Sequence, residues 1–398
     1  MNLPLTNPSW MEPLLPPEEG QKRLEDAAFD LVSRASSLAG QTNPIVTASI
    51  GSLVRSMNCY YSNLIEGHDT HPRDIDKALR KDYSTEPARR ALQLEAVAHI
   101  EVQQAIDEGR DDTAFPASLP YVLWLHREFC RRLPDELLWV EDLESKKRVR
   151  VRPGELRDGE VIVGQHLPPE VAALPRFLER FEQAYAPAHL SKMRQVIAVA
   201  AAHHRFVWIH PFYDGNGRVV RLMSHAMLKR LGVGSSLWSV ARGLARNVGR
   251  YKSLLMAADG PRRNDLDGRG NLSLEALVEF CEFFLRTCID QVEYMRSILE
   301  PAELLRRMEI FTEEEVRAGR LPKGSFPLLR EALLAGAFDR GQARAITGYK
   351  ERMARMVLAQ LLETGLLASA GSRAPVRLGF PISVVERWFP ALYPANSR

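Results

Sequence analysis

The sequence of 398 residues predicts a mainly α-helical protein with one β-hairpin and a carboxyl-terminal block of short helices and strands. Three observations lead to this fold class. Apolar residues recur at the three- and four-residue spacing of amphipathic helices through most of the chain. The stretch KKRVRVRPGELRDGEVIVGQHLPP instead alternates apolar with other residues and contains glycine turns. After RLPKGSF, the helical segments shorten and strand-like segments follow.

The composition limits the classes of function. Hydrophobic residues make up 45% of the chain and charged residues 26%, as in ordinary globular proteins. The formal net charge of +3 is close to balance, so any basic patch for nucleic acid must be local. The four cysteines form no CxxC pair, so we expect neither a zinc site nor a disulfide framework. Such cysteine usage fits a reducing cytoplasm. Without a signal-like start or a span-length apolar run, we expect a cytoplasmic protein that does not contact membranes.

The helices are predicted in order along the chain after a Pro-rich amino-terminal arm. The first lies in EEGQKRLEDAAFDLVSRASSLAG and ends at Gly40. The same periodicity continues in ARRALQLEAVAHIEVQQAIDEG, LPYVLWLHREFCRRLP, LPRFLERFEQAYA, SKMRQVIAVAAAHHRFVWIH, VVRLMSHAMLKRLG and LSLEALVEFCEFFLRTCIDQVEYMRSILEPAELLRRM. These segments predict an all-α core.

The alternating stretch predicts a β-hairpin whose second arm is EVIVG, residues 160–164. A lone hairpin is only marginally stable by itself, so we expect it to lie as a flap over the helices. On the pattern alone its role is structural. Beside a ligand site, its edge would offer backbone donors and acceptors.

The last block predicts a winged helix-turn-helix: a helix, a short helix, a turn at Gly348, a longer helix and two short strands around Ala374 and Pro375. Basic residues could form a nucleic-acid surface there, namely Arg344, Lys350, Arg352, Arg355, Arg373 and Arg377. Winged helices also bind proteins or dimerise, so DNA contact, protein contact and a homodimer stay open. The predicted segments are the arm with the first helical region (1–90), a helical core (91–300) and this module (301–398).

The stretch HPFYDGNGRVVR interrupts helical sequence with charges and glycines. Pro211 lacks an amide hydrogen and should end the preceding helix near His210. Gly215 and Gly217 permit positive φ, which lets the loop turn its amides inward as an anion nest before a helix begins at Arg218. Because helix N-termini attract phosphate, the loop predicts a phosphate-binding site.

The charged residues of the same stretch suit polyphosphate chemistry. Arg218 and Arg221 are three residues apart, so they share one helical face and offer two cations with bidentate geometry. Asp214 supplies a hard oxygen ligand that suits Mg²⁺ shared with phosphates. His210 is placed to accept a proton from an attacking hydroxyl. Each residue alone fits a structural role, but their joint occurrence favours catalysis.

The stretch resembles the signature of the Fic domain family, HPFx[D/E]GNGRxxR, at every defined position. The resemblance implies a Fic-type helical core that transfers a nucleoside monophosphate, usually AMP from ATP, to a hydroxyl of a target protein. It implies that His210 is the general base and that Asp214 binds the metal. The nest and the phosphate ligands would be Gly215, Asn216, Gly217, Arg218 and Arg221.

Two further segments resemble parts of the same family. VIVGQHLPP is similar to the family flap, which implies that it clamps the nucleotide and aligns the target backbone through Val161, Ile162, Val163 and Gly164. RYKSLLMAADG is similar to the segment that lines the adenine pocket, with Tyr251 as the matching residue and Asp259 near its end. Many relatives have a second Tyr where Lys252 stands and an Asn near Asp259.

Upstream, SNLIEG resembles the family's inhibitory motif, [S/T]xxxE[G/N], at Ser62, Glu66 and Gly67. The resemblance implies that Glu66 points into the nucleotide site and pairs with Arg221, which blocks seating of the γ-phosphate. The alternative is an ordinary surface glutamate. The nearby EGHDTHP contains two histidines without a third metal ligand, which is more typical of a polar loop.

The hypothesis is therefore a self-inhibited protein adenylyltransferase that uses ATP and Mg²⁺ to modify a Ser, Thr or Tyr of a target protein or of itself. One rival is removal of AMP from a modified protein at the same site, with Glu66 orienting water. Another is a DNA-binding regulator in which the Fic core only senses a nucleotide. The intact His210 favours the enzyme, because phosphate binding alone needs no base.

Overall fold

A computed structural model describes residues 5–41, 43–141 and 148–393. These residues form two compact units. One contains the described parts of Met1–Ser36, Asn58–Ser235 and Ser239–Val292, and the other those of Ser37–Met57, Ser236–Trp238 and Glu293–Arg398. The mainly helical fold class is confirmed, whereas the segment boundaries predicted near residues 90 and 300 stay a prediction.

The described helices up to residue 299 include one in each predicted periodic segment and four others, at 44–65, 72–79, 240–246 and 248–259, that lie outside those segments. They are α1 (Lys22–Ala39), α2 (Pro44–Ile65), α3 (Pro72–Leu79), α4 (Pro87–Asp107), α5 (Leu119–Cys130), α6 (Leu174–Tyr185), α7 (Lys192–Ile209), α8 (Asn216–Arg230), α9 (Val240–Arg246), α10 (Val248–Asp259) and α11 (Leu274–Leu299). Proline stands in the first turn of α2, α3 and α4, where its missing amide hydrogen costs no helical bond. Among the described residues, no helix has both the length and the apolar character needed to cross a bilayer.

The helices α7 and α8 form the centre of the first unit. They pack against each other, and α4, α5, α6, α9 and α10 each contact one of them. Small side chains at Ala198 and Ala200–Ala202 are fully buried in α7, which allows neighbouring helices to approach closely. The loop that joins α7 to α8 contains the HPFYDGNGRVVR stretch, so the best-packed helices of the unit fix its position.

The β-hairpin is present, but its predicted second arm is wrong. Strand β1 (Trp139–Glu141) pairs antiparallel with β2 (Arg148–Arg150), with Val140 opposite Val149. Residues 142–147, which include the start of the predicted stretch, lie outside the described residues. The EVIVG segment instead makes one isolated bridge, between Val163 and His166, because Gly164 adopts a φ of 63° and turns the chain back at once.

The second unit contains the element order predicted for the carboxyl-terminal block. Its elements are α12 (Pro301–Arg317), α13 (Ser325–Leu334), β3 (Ala337–Phe338), α14 (Ala343–Thr347), α15 (Glu351–Glu363), β4 (Leu367–Ala368), β5 (Val376–Leu378) and α16 (Ile382–Trp388). The strands form an antiparallel sheet in the order β3-β5-β4. Gly348, with a φ of 71°, separates α14 from α15. The six basic residues predicted as a surface are exposed, while the winged-helix assignment and its partners stay predictions.

The amino-terminal arm is fixed to the first unit by buried hydrogen bonds that no sequence pattern indicated. The buried Arg205 of α7 donates from Nε and Nη2 to the carbonyl of Pro13 at 3.1 and 2.8 Å, and from Nη1 to that of Ala258 at 3.2 Å. The hydroxyl of Tyr185 donates to the carbonyl of Leu14 at 2.7 Å. The arm is therefore an integral part of the helical core.

Replacement of Arg205 by Met should destabilise the first unit, because the carbonyls of Pro13 and Ala258 lose their donor inside the protein. We expect a loss of about 2–4 kcal/mol, the cost of two buried acceptors left unsatisfied. Arg180→Met is the matched control, since Arg180 contacts the same arm through a partly exposed ion pair with Glu12 that contributes about 0–1 kcal/mol. Urea unfolding followed by circular dichroism measures both, and equal losses would contradict a special role for Arg205.

Candidate active site

The loop between α7 and α8 is held in shape by its own residues. His210 ends α7 with a left-handed φ of 49°, and Gly215 precedes α8 with a φ of 82°. Asn216 closes the loop: its Oδ1 accepts from the amide of Phe212 at 3.1 Å, and its Nδ2 donates to the carbonyl of Phe212 at 2.8 Å. Asn216 thus supports the loop, and the first-turn amides of α8 face the space beside it.

The imidazole of His210 is in the state that a general base requires. Burial, together with the positive charge of Arg157 and the neighbouring His166, lowers the pKa of His210 to about 4. The side chain is therefore neutral at physiological pH. A neutral imidazole can accept a proton, whereas an imidazolium cannot.

Arg157 joins His210 to the segment predicted as the flap. Its buried guanidinium donates to the carbonyl of His210 at 3.0 Å, to that of Gly159 at 3.0 Å and to that of Pro169. Both ends of the segment 159–169 are therefore attached to the residue that ends α7. Within it, Ile162 and Gly164 are exposed, and Val161 and Val163 are partly buried. Sequence reasoning missed Arg157, because no periodicity or motif singles out one arginine in a charged segment.

Glu66 lies against the first turn of α8. A Cβ atom added at Gly217 would come within 2.1 Å of Glu66 Oε1 and 3.1 Å of Arg221 Nη1. The carboxylate therefore occupies the position beside the helix N-terminus where the sequence predicts phosphate, and only glycine leaves room for it.

Arg221 is buried and is held by α2. Its Nη2 donates to Glu66 Oε1 at 2.6 Å and to the carbonyl of Ser62 at 3.0 Å, while its Nε donates to Ser62 Oγ at 2.8 Å. Gly67, with a φ of 87°, ends this segment of α2. The residues predicted as an inhibitory motif and the second arginine of the loop stretch thus meet in one cluster.

The charge on Glu66 is maintained by the two arginines. Burial by itself would raise the pKa of Glu66, but the guanidinium groups of Arg221 and Arg218 outweigh it, and the pKa is lowered. Glu66 is consequently ionised at neutral pH. An ionised carboxylate beside a helix N-terminus and two cations is an electrostatic substitute for a phosphate group.

Arg218 is paired with a carboxylate that sequence reasoning did not select. Its Nη1 lies 3.2 Å from Oε1 of the buried Glu95 in α4, and its Nη2 lies 3.7 Å from Asp214 Oδ2. Glu95 Oε2 is 2.8 Å from Nδ1 of His68. The sequence did contain a signal for Glu95, because the apolar pattern of α4 predicts that this glutamate is buried.

Asp214 has the environment of a ligand for Mg²⁺. Its side chain is about half exposed beside the nest, and one of its oxygens lies 3.7 Å from Arg218 Nη2. Among the described residues, no group of three His, Cys, Asp or Glu side chains could hold a metal ion by itself. A single carboxylate fits Mg²⁺, which keeps several waters and binds largely through substrate phosphates.

Tyr251 and Asp259, the two residues predicted for the adenine side, each contact a histidine of α7. The hydroxyl of the buried Tyr251 lies 2.8 Å from His203 Nε2, and His203 Nδ1 lies 2.9 Å from Ser224 Oγ. Asp259 Oδ1 lies 3.2 Å from His204 Nε2. Both therefore brace α10 against α7.

Comparisons with known proteins agree with this geometry. Residues 116–228 match the Fic/DOC family. Proteins named protein adenylyltransferase Fic from Drosophila erecta and Drosophila ananassae are 42% and 43% identical over 134 residues, which cover 32% of this chain and 26% of each relative. The chain thus spans about a quarter of the length of the curated relatives it matches.

The fold is similar to the crystal structure of a Fic family protein from Desulfovibrio desulfuricans G20, with a TM-score of 0.50 and 16% sequence identity. That similarity covers 89% of this chain and 96% of the other. The similarity to that structure concerns the fold. The part of the chain that matches the Fic/DOC family includes residues 210–221, the loop stretch of the site.

The protonation of His210 can be measured directly. Because its pKa is lowered to about 4, the imidazole should stay neutral as the pH falls through 6.5, where an unperturbed histidine gains half a proton. NMR of histidine-labelled protein between pH 4.5 and 8 should show no titration of the His210 ring, assigned by its loss in His210→Gln. A midpoint near 6.5 would contradict the buried, neutral state.

Proposed function

We propose that this protein is a protein adenylyltransferase that α2 holds in an inhibited state. It transfers AMP from ATP to a Ser, Thr or Tyr hydroxyl of a target protein or of itself. The observation that supports this function most directly is the Glu66 carboxylate, seated against Gly217 and 2.6 Å from Arg221. This position binds an anion, and it adjoins a neutral histidine on the same loop.

In the proposed reaction, the acceptor hydroxyl attacks the α-phosphorus of ATP in line. His210 takes the hydroxyl proton, the new P–O bond forms, and the bond between the α-phosphorus and the bridging oxygen breaks. The electron pair leaves with pyrophosphate. Arg218, Arg221 and the first-turn amides of α8 offset its charge, and Asp214 would hold Mg²⁺, which neutralises the phosphates further.

The flap segment would align the target. The exposed Ile162 and the backbone of Val161, Val163 and Gly164 could pair with an extended stretch of the target chain by β-augmentation. Since Arg157 fixes both ends of this segment to His210, the acceptor hydroxyl would be placed relative to the base. Tyr251 and Asp259 remain the proposed residues on the adenine side.

Self-inhibition follows from competition for Arg221. A γ-phosphate and the Glu66 carboxylate require the same donors, so ATP can seat productively only after the ion pair opens. A competing interaction of about 2–4 kcal/mol holds the open state to a few per cent or less. The bound carboxylate therefore limits the rate without altering the catalytic residues.

A second activity is supported by the partial exposure of Glu66. Its side chain is 31% exposed, so water can reach the carboxylate beside the phosphate position. An ionised carboxylate could orient that water for attack on the phosphorus of an AMP-modified protein. Release of AMP from a modified target by the wild-type protein, and its loss in Glu66→Gly, would distinguish this reaction from transfer.

Substitution of His210 should separate chemistry from binding. In a Glu66→Gly background, His210→Ala should lower AMP transfer by at least about 100-fold, since general-base catalysis contributes about 10²–10⁴. The affinity for ATP should change less than about threefold, because the arginines and amides hold the phosphates. Transfer from labelled ATP and calorimetric titration measure the two quantities. Undiminished transfer would remove His210 from the mechanism.

Substitution of Glu66 tests the inhibition. Glu66→Gly should raise AMP incorporation at least about tenfold, and Arg221→Ala added to it should cancel most of the gain. Glu66→Gln is the matched control, because it keeps the size of the side chain but removes its charge, and we expect an intermediate rise. An activity of Glu66→Gly no greater than wild type would refute self-inhibition. A gain that survives loss of Arg221 would assign the restraint to another contact.

A further inference from the structure

Both arginines of the loop stretch are occupied by carboxylates. Arg221 is bound by Glu66 at 2.6 Å, and Arg218 lies 3.2 Å from Glu95. The side chain of Glu95 is 1% exposed, so its charge needs partners inside the protein. Its second oxygen has one, the imidazole of His68 at 2.8 Å.

His68 belongs to the same turn as Glu66. The amides of Glu66 and His68 both donate to the carbonyl of Asn63, at 3.0 and 2.9 Å, and the amide of Gly67 donates to that of Leu64 at 3.1 Å. These bonds make residues 63–68 one compact turn. Glu66 cannot leave Arg221 by much while His68 stays on Glu95.

We propose that the contact between His68 and Glu95 is a second tie on the inhibitory turn (residues 63–68), in addition to the ion pair between Glu66 and Arg221. Glu95 lies against Arg218 and holds His68 in place. The turn therefore stays where Glu66 contacts Arg221. The inference rests on the proposed function and adds two positioning residues to it. Neither residue contacts the reacting atoms. Their effect passes through the position of the turn.

The chemistry of the tie explains why it can open. His68 is 35% exposed, so its bond to Glu95 lies at the edge of the protein where solvent can compete. Arg218, the cation that lies beside Glu95, is also a proposed phosphate ligand. ATP phosphates that draw Arg218 away from Glu95 would loosen the tie as they displace Glu66 from Arg221.

The test compares two histidines of one loop. His68→Ala removes the tie, and we expect it to raise AMP incorporation by at least about threefold in the otherwise wild-type chain. His68→Gln keeps a donor that can reach Glu95 and should restore most of the inhibition. His71→Ala is the control, because His71 lies in the same loop but accepts from the amide of Arg73 at the start of α3; its activity should stay within about twofold of wild type.

His68→Ala in a Glu66→Gly background tests whether His68 acts through Glu66. With the inhibitory carboxylate gone, His68→Ala should change activity less than about twofold. A similar gain in both backgrounds would overturn the proposal, because His68 would then act on catalysis without Glu66. If Glu66→Gly activates and His68→Ala does not, the tie is wrong and the proposed self-inhibition stands.

Hydrogen exchange gives a readout that needs no activity. Loss of the tie should speed exchange of the Glu66, Gly67 and His68 amides by at least about fivefold, measured by NMR or mass spectrometry on the full chain, while His71→Ala leaves them unchanged. Unchanged exchange in His68→Ala would overturn the proposal even if no transfer is detected in any variant. If Glu66→Gly is inactive but exchange responds as expected, the tie is upheld and the proposed function fails.

Discussion

Two buried guanidinium groups on one face of α8 are the constraint on which the site depends. Arg218 and Arg221 are three residues apart, and burial of two like charges is costly unless anions neutralise them. In this structure Glu95 and Glu66 supply the negative charge. In the proposed function these arginines bind the phosphates of ATP, and Glu66, directly after α2 of the same chain, occupies one of them in place of a phosphate.

The remaining geometry keeps this charged face beside a neutral base. Asn216 fixes the loop between α7 and α8, and Arg157 attaches the flap segment to the carbonyl of His210. Burial that would be unfavourable for an imidazolium leaves the histidine neutral. Packing of α7 against α8 therefore determines two properties at once, the position of the proposed phosphate site and the protonation state of the residue that would receive the proton.

Local patterns predicted the parts of the structure that local chemistry determines. Apolar periodicity predicted most of the helices, and Pro211 predicted the end of α7, whereas α8 begins at Asn216 and not at Arg218 as predicted. The partner of β2 was mispredicted, because alternation marks a strand but not its neighbour, and Gly164 turns the chain before an arm can form. The roles of three buried charged residues could not be predicted, namely Arg157, Arg205 and Glu95. Each contacts a segment that is distant in the sequence, and the periodicity of the sequence does not indicate such contacts. The contact between Glu66 and Arg221 was anticipated only through the resemblance to a family.

The central claim is that the Glu66 carboxylate stands where a phosphate of ATP binds. A crystal structure of Glu66→Gly with ATP and Mg²⁺ tests it most directly. The account predicts phosphate oxygens against Gly217, in contact with Arg221, and the α-phosphorus within reach of a hydroxyl beside His210. Phosphates bound elsewhere, with the first turn of α8 and Arg221 left to water, would contradict it.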